Sequence, residues 1–254
     1  MSASLEHHFV AWRRGVGRLA GTLLDTLLPP ACAYCGSPGH ILCPDCLAAV
    51  VWVREPVCEL CGRPVVDERL DRGRLCRGRL CRACHDEPPP VGRIRSATHY
   101  QDPTRRLVHR LKYEGLFALG HPLGRLMVKA WPSWQWPVDL VLPIPLHKQR
   151  LRERGYNQSE FLVSELCRCL AWPTDAEALF RVRPTRPQIG LTAVERRANV
   201  YDAFVADPAR VAGKRVLLVD DVCTTGSTIT AAAIALHEAG VKSVAAYCLC
   251  TVAA

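Results

Sequence analysis

The stretch RVLLVDDVCTTGSTITAAA sets two carboxylates, Asp220 and Asp221, just before five small residues, Thr224, Thr225, Gly226, Ser227 and Thr228. Ionised carboxylates only accept hydrogen bonds, so the pair suits a divalent cation or vicinal hydroxyls. The small residues do the opposite. They let the backbone wrap closely and turn several N–H groups inward, with Gly226 supplying the unusual dihedral. A helix opening directly afterwards adds its positive end. An anion in the loop would repel the carboxylates at contact distance, so the two groups must address different parts of one ligand. Hydroxyls on one side and a phosphate a short way off describe a ribose 5-phosphate. No Lys follows Gly226, which excludes a Walker A loop, and a G-x-G-x-x-G loop is absent here. One hydroxyl suffices to cap a helix, whereas four of these five residues carry one.

The second chemistry lies in cysteines. The chain has 14, and nine of them precede His85. Eight of those nine form C-x-x-C pairs: Cys32/Cys35, Cys43/Cys46, Cys58/Cys61 and Cys81/Cys84. Two-residue spacing lets both thiolates of a turn face one ion, and two turns complete a tetrahedron. Gly36 and Gly62 follow the second cysteine of their pairs, as a tight knuckle requires. A disulfide framework would need an export signal. The early arginines and apolar middle of residues 10–28 imitate one, but Arg18 and Asp25 interrupt the run. It reads as an amphipathic helix ended by Pro29 and Pro30. Structural zinc is therefore expected, one ion or two. The simplest partition takes the pairs in chain order, with Cys76 as a rival ligand.

These groups need a scaffold to place them. Residues 31–86 read as a small Cys-rich zinc module after an N-terminal segment 1–30, with a stiff Pro-rich linker at 87–90. Residues 91–254 alternate strand-like and helix-like stretches. That alternation predicts an α/β fold, a parallel sheet with helices on both faces, whose ligands bind beyond the carboxyl ends of the strands. The apolar run before Asp220 predicts a central strand buried on both faces and ending at the acidic pair. In NQSEFLVSELCRCLA, Phe161, Leu162, Leu166, Cys169 and Leu170 share one predicted helix face. Residues 172–200 fit neither period and read as a long loop or lid.

Charge points the same way. The net charge is +9, of which residues 101–200 hold 16 basic against 9 acidic groups. Such an excess suits a phosphate-bearing partner, small or polymeric. No apolar run approaches the roughly 20 residues that span a bilayer, so no membrane insertion is expected and the location reads as cytoplasmic.

The motif VLLVDDVCTTGST closely resembles the phosphoribosyl-pyrophosphate motif of type I phosphoribosyltransferases. HRLKYEG, LPIPLHKQRLRERGYNQSE, RPTRPQIGLTAVERRANVYDAF and the leading knuckles together resemble the ComF family, which includes GntX-type proteins. The resemblance implies a type I phosphoribosyltransferase fold preceded by a double zinc ribbon. It implies that Asp220 and Asp221 hold the ribose 2′- and 3′-hydroxyls, and that residues 224–228 hold the 5′-phosphate. It places a pyrophosphate loop at Pro143, Ile144 and Pro145. His147, Lys148, Arg150, Arg152 and Arg154 follow it, and Lys112 and Tyr113 line the cleft. Gln188, Arg196, Arg197 and Asn199 would sit on a mobile loop over the reacting centre, with Arg196 grouped with the acidic pair as catalytic. Cys223 departs from the family, which often has an aromatic residue there, so altered packing is expected.

Two functions follow from the resemblance. One is phosphoribosyl transfer, with Mg²⁺ chelating the pyrophosphate and ribose hydroxyls, to a base or amine that no residue identifies. The other is binding of phosphoribosyl pyrophosphate together with single-stranded DNA handling in natural transformation, with a competence helicase or translocase as a partner. Tyr113 or Tyr156 would then stack on bases.

Overall fold

The computed structural model describes residues 30–64, 80–131, 136–184 and 202–252. The chain divides into two compact units, Met1–Ala49 and Val50–Ala254. The described residues contain six strands, β1 (Arg93–His99), β2 (Leu140–Pro143), β3 (Leu179–Arg181), β4 (Phe204–Ala206), β5 (Arg215–Cys223) and β6 (Ser243–Thr251). The helices are α1 (Pro44–Ala48), α2 (Arg82–Asp86), α3 (Thr104–Tyr113), α4 (Gly120–Ala130), α5 (Lys148–Arg154), α6 (Gln158–Leu170), α7 (Pro208–Val211) and α8 (Ser227–Glu238).

Four strands form one sheet in the order β1-β6-β5-β2, and every neighbouring pair is parallel. The continuous apolar runs explain the order. Val216, Leu217, Leu218 and Val219 of β5 are all buried, as are Val244 to Leu249 of β6, so these two strands take the centre. Ala232, Ala233 and Leu236 of α8 cover one face; α4 and α6 pack together, α4 beside β1 and β6 and α6 beside β2 and β5. The expected α/β sheet is present.

Three local expectations are corrected. β5 does not stop at the acidic pair. Asp220 pairs with Cys248 and the ladder continues to Cys223 opposite Thr251, so both carboxylates stand inside the last part of the strand. On α6 the buried apolar face is Leu162, Val163, Leu166 and Cys167, and Cys169 is exposed. Glycines on α4 set that rotation. A Cβ at Gly120 would lie 2.4 Å from Phe161 Cβ, and one at Gly124 would lie 2.6 Å from Glu165 Cβ. Finally, residues 172–200 contain β3, which pairs antiparallel with β4. Leu179 and Phe204 enter the core. Three residues are too few for an alternating pattern to register.

The helix contact gives a stability prediction. Helix propensity alone favours Ala over Gly by about 1 kcal/mol. At Gly120 the overpacking against Phe161 outweighs that gain, so Gly120→Ala is expected to lose about 1–2 kcal/mol net. A denaturation midpoint equal to or above the wild type's would contradict the close packing.

β1 is an edge strand, and the chain covers its outer edge. Ile94 N–H donates to Leu60 O at 2.6 Å, Val53 N–H to Ala97 O at 3.1 Å and His99 N–H to Val51 O at 2.8 Å. Arg95 is buried there, and its Nη1 donates to the carbonyls of Cys58 at 3.2 Å and Glu59 at 3.0 Å. The second cysteine knuckle is thus built onto the sheet, and these bonds cover part of the edge of β1.

Candidate functional site

The acidic pair is held from three elements. Ser159 Oγ, near the start of α6, donates to Asp220 Oδ1 at 3.2 Å, and the same oxygen accepts from Asp221 N–H at 2.9 Å. Lys112 Nζ, near the end of α3, lies 2.6 Å from Asp221 Oδ1, and the Asp221 side chain is only 3% exposed. Asp221 Oδ2 is buried and, among the described residues, accepts no hydrogen bond. A buried carboxylate oxygen left open is costly and suits a donor or cation brought by a ligand. Burial first, and then the charge of Asp221, push the Asp220 carboxyl up to about 7, against the pull of Lys112 and the two hydrogen bonds. Burial opposes the charge on Lys112, but Asp221 beside it holds the ammonium above its ordinary range.

The expected phosphate loop follows. Gly226 has φ +80°, a left-handed conformation that favours glycine, and α8 starts at the next residue. Asp220, Cys223, Thr224, Gly226, Ser227 and Thr228 line one hollow. Thr225 Oγ1 lies 2.7 Å from Ser227 Oγ, so these hydroxyls form a pair within the loop. The first amides of α8 have no carbonyl of their own helix to bond; that of Ser227 donates to Thr225 Oγ1 at 3.4 Å, and a helix start of this kind favours an anion. Cys223 is buried in the core cluster with Cys248. The altered packing expected at that position is contact with another small thiol.

The loop after β2 leaves beside the pair. Pro143 is in register with Val219, and Ile144 N–H donates to Val219 O at 2.9 Å. Asn157 fixes the loop. Its Nδ2 donates to Ile144 O at 3.1 Å while its Oδ1 caps α6 by accepting from Ser159 N–H at 3.1 Å. Asn157→Ala removes a cap and leaves a buried carbonyl unpaired, so a loss of about 2–3 kcal/mol is expected in chemical denaturation. A change below about 0.5 kcal/mol would contradict this role.

The basic run beyond Pro145 is divided among several tasks. His147 caps α5, with Nδ1 accepting from Gln149 N–H at 3.3 Å. Arg154 bonds Gln158 Oε1 and lies 5.4 Å over the Tyr113 ring. Lys148 and Arg152 are exposed. Arg150 is half-buried, and its charge reaches Arg181 on β3. Lys112, expected to line the cleft, is engaged with Asp221 on the carboxylate side. Arg196, Gln188, Arg197, Asn199, Cys76 and the N-terminal segment 1–29 lie outside the described residues.

Ser159, Asn157 and Arg181 are site neighbours that sequence reasoning missed. Asn157 and Ser159 look like an ordinary helix cap in the sequence NQSE, and only the fold brings Ser159 to Asp220. Arg181 sits in the short strand β3. Burial pulls its guanidinium below the ordinary range, and the nearby charge of Asp220 works against that pull.

The cysteines assemble in chain order, Cys32/Cys35/Cys43/Cys46 and Cys58/Cys61/Cys81/Cys84, with the four sulfurs of each set within 4.8 Å of one another. Cys35–Cys43 and Cys61–Cys81 are each 3.6 Å apart. A tetrahedral zinc with bonds of about 2.3 Å separates its sulfurs by about 3.8 Å, so both sets fit the ion. Gly36 and Gly62 have φ of +81° and +71°, and each N–H donates 2.9 Å to the first cysteine carbonyl of its knuckle. The amides of Cys43 and Cys81 approach the sulfurs of Cys32 and Cys58 at 3.5 and 3.3 Å. Burial works against both first cysteines, yet backbone amides bring Cys32 down to about 6 and Cys58 to about 7. Burial and then the neighbouring thiols drive Cys46 and Cys84 far up. Four sulfurs this close share their charge well only around a cation.

Comparison with known proteins adds relatives. Residues 182–254 match the phosphoribosyl transferase domain family, and residues 23–85 match the double zinc ribbon domain family. The chain is similar to "DNA utilization protein YhgH" of Escherichia coli O157:H7, 33% identical over 88% of this chain and 97% of that one. It is also similar to "Competence protein F" of Haemophilus influenzae, 30% identical over 84% and 93% of the two chains. "Competence protein ComFC" of Bacillus subtilis is 27% identical over 80% of each.

Proposed function

This chain belongs to the ComF family of competence protein F and DNA utilization protein YhgH, and from that premise we propose that it binds phosphoribosyl pyrophosphate with Mg²⁺ and handles single-stranded DNA in the cytoplasm. The observation that carries the first half is the open Asp221 Oδ2 beside Asp220, next to a small-residue loop at a helix start. The carboxylates accept from the ribose hydroxyls, and residues 224–228 donate to the 5′-phosphate. Asp221 must share or release Lys112 when a sugar hydroxyl arrives. The ammonium then stays close as a counter-charge for the ligand's phosphates. Bound Mg²⁺ would supply charge neutralisation of the pyrophosphate. The chain's own share is positioning and electrostatic preorganisation.

The DNA half rests on a surface as well as on kinship. α3 carries Arg105, Arg106, His109 and Arg110 ahead of Lys112, and α5 carries Lys148, Arg150, Arg152 and Arg154. Between them stand aromatic rings. Tyr113 is 58% and Phe117 62% exposed. Phe117 lies 6.5 Å from Tyr156, and the Arg154 guanidinium lies over Tyr113. Exposed rings among cations are a stacking platform for single-stranded bases, each worth about 1–3 kcal/mol. The double variant Tyr113→Ala/Phe117→Ala is expected to weaken single-stranded oligonucleotide binding at least tenfold and to leave phosphoribosyl pyrophosphate binding unchanged. Wild-type affinity should fall steeply with salt. A flat salt response, or wild-type DNA affinity in the double variant, would remove this half.

A second reading keeps catalysis. Arg181 beside Asp220 adds a cation close to the sugar position, which favours a site able to stabilise a departing pyrophosphate. Screening bases and amines for pyrophosphate release tests it, and an empty screen with intact ligand binding leaves the binding role alone. A competence helicase or translocase is the partner that this kinship suggests.

A further inference from the structure

Arg63 follows Gly62 in the second knuckle, and neither the cysteine ligands nor the acidic pair engages its side chain among the described residues. Its position is set by the zinc turn itself, because Cys58 N–H donates to Arg63 O at 2.7 Å. That turn is pressed onto β1, where a Cβ on Gly62 would sit 2.5 Å from Ile94 O. Ile94 reaches on to the phosphate loop, and its Cδ1 lies 3.6 Å from the place of a Gly226 Cβ. The knuckle and the loop therefore meet one residue, the knuckle at the Ile94 backbone and the loop at the end of its side chain. The charge of Arg63 is felt at Cys223, which lines the hollow at residues 224–228.

Arg63 is half-buried, and among the described residues its guanidinium has no hydrogen-bond or ion-pair partner. Arg95, at the same knuckle–strand contact, donates instead to three carbonyls. A half-buried guanidinium with no protein partner keeps its donors for water or for an anion brought by a ligand. The chain also holds an internal control. In the first knuckle the residue after Gly36 is Ser37, so the knuckle does not need arginine there to arrange its four sulfurs.

We propose that Arg63, carried by the second zinc knuckle, is a further binding residue of this site and contacts the phosphate group held by residues 224–228. This rests on the ribose-phosphate reading above. It makes the zinc ribbon part of the ligand site, so that the fold of the second cluster sets the affinity of the sugar-phosphate pocket.

The test uses the full chain with zinc bound and two variants, Arg63→Ser, which copies the first knuckle, and Arg63→Lys, which keeps the charge. Ribose 5-phosphate and phosphoribosyl pyrophosphate with Mg²⁺ are titrated calorimetrically over a salt series. Zinc content and melting temperature are measured alongside. The expected result for Arg63→Ser is about tenfold weaker binding of both ligands, with a shallower salt dependence and unchanged zinc and melting temperature. Arg63→Lys should stay within about threefold of wild type. Wild-type affinity in Arg63→Ser overturns the proposal, as does a loss that accompanies lost zinc or a lowered melting temperature. A wild-type protein that binds neither ligand removes the underlying reading as well.

Discussion

Replacing Asp220 with asparagine is expected to stabilise the protein above pH 7 while removing its affinity for ribose phosphates. The Asp220 carboxyl titrates near 7 in the folded chain, because burial and Asp221 disfavour its charge. An unfolded aspartate titrates near 4. Between those values the folded state binds more protons than the unfolded one, so stability falls as pH rises through the window. Below it both states are protonated and the carboxyl makes no difference. Asparagine keeps an acceptor for Ser159 Oγ and Asp221 N–H and never ionises. The Asp220→Asn gain should therefore be absent near pH 4, grow toward pH 7 and level off at about 1–3 kcal/mol, a rise of several degrees in melting temperature. Binding should fall at least a hundredfold, because the charged acceptor for a sugar hydroxyl is gone. Stability bought back by disabling a site is the signature of a functional strain. A variant that is less stable than wild type at pH 8 would contradict the burial argument.

The second large effect is metal removal. Chelation under reducing conditions should dismantle the unit Met1–Ala49. The hydrophobic core among its described residues is Cys32, Cys43 and Cys46 with Tyr34 and Leu42, so these residues have little to hold them besides metal. Structural zinc in such sites contributes about 10 kcal/mol or more of apparent binding free energy. In the unit Val50–Ala254 the loss is local. The knuckle at residues 58–64 loosens from β1, while β5 and β6 keep their parallel ladder. Metal analysis should give two zinc ions per chain, one for each set of four sulfurs. Hydrogen exchange of the chelated protein should show protection lost at residues 30–49 and reduced in β1, with β5 and β6 unchanged. Full protection of residues 30–49 without metal would contradict the role of zinc there.

The sequence made the site's two chemistries readable because they are local. Asp220, Asp221 and residues 224–228 adjoin one another, and the C-x-x-C spacing carries its own geometry. The parallel sheet was readable because its central strands are buried on both faces and so carry unbroken apolar runs. What escaped depends on contacts distant in sequence. Ser159 reads as part of a helix cap until the fold brings it to Asp220. Lys112 reads as a residue lining the cleft, and only the fold shows that it is seated on Asp221. The rotation of α6 is fixed by Gly120 and Gly124, residues with no side chain to mark a face. The seat of the second knuckle on β1 depends on Gly62 in the knuckle and Arg95 in the strand, and nothing in the local sequence around either points to the other.

The central claim is that the acidic pair and the small-residue loop form one ribose-phosphate site. Calorimetric titration of phosphoribosyl pyrophosphate with Mg²⁺ into wild type and Asp220→Ala/Asp221→Ala tests it most directly. Saturable binding to the wild type, with a loss of at least a hundredfold in the double variant at unchanged zinc content, is the predicted result. No binding to the wild type, or equal binding to both proteins, would contradict it.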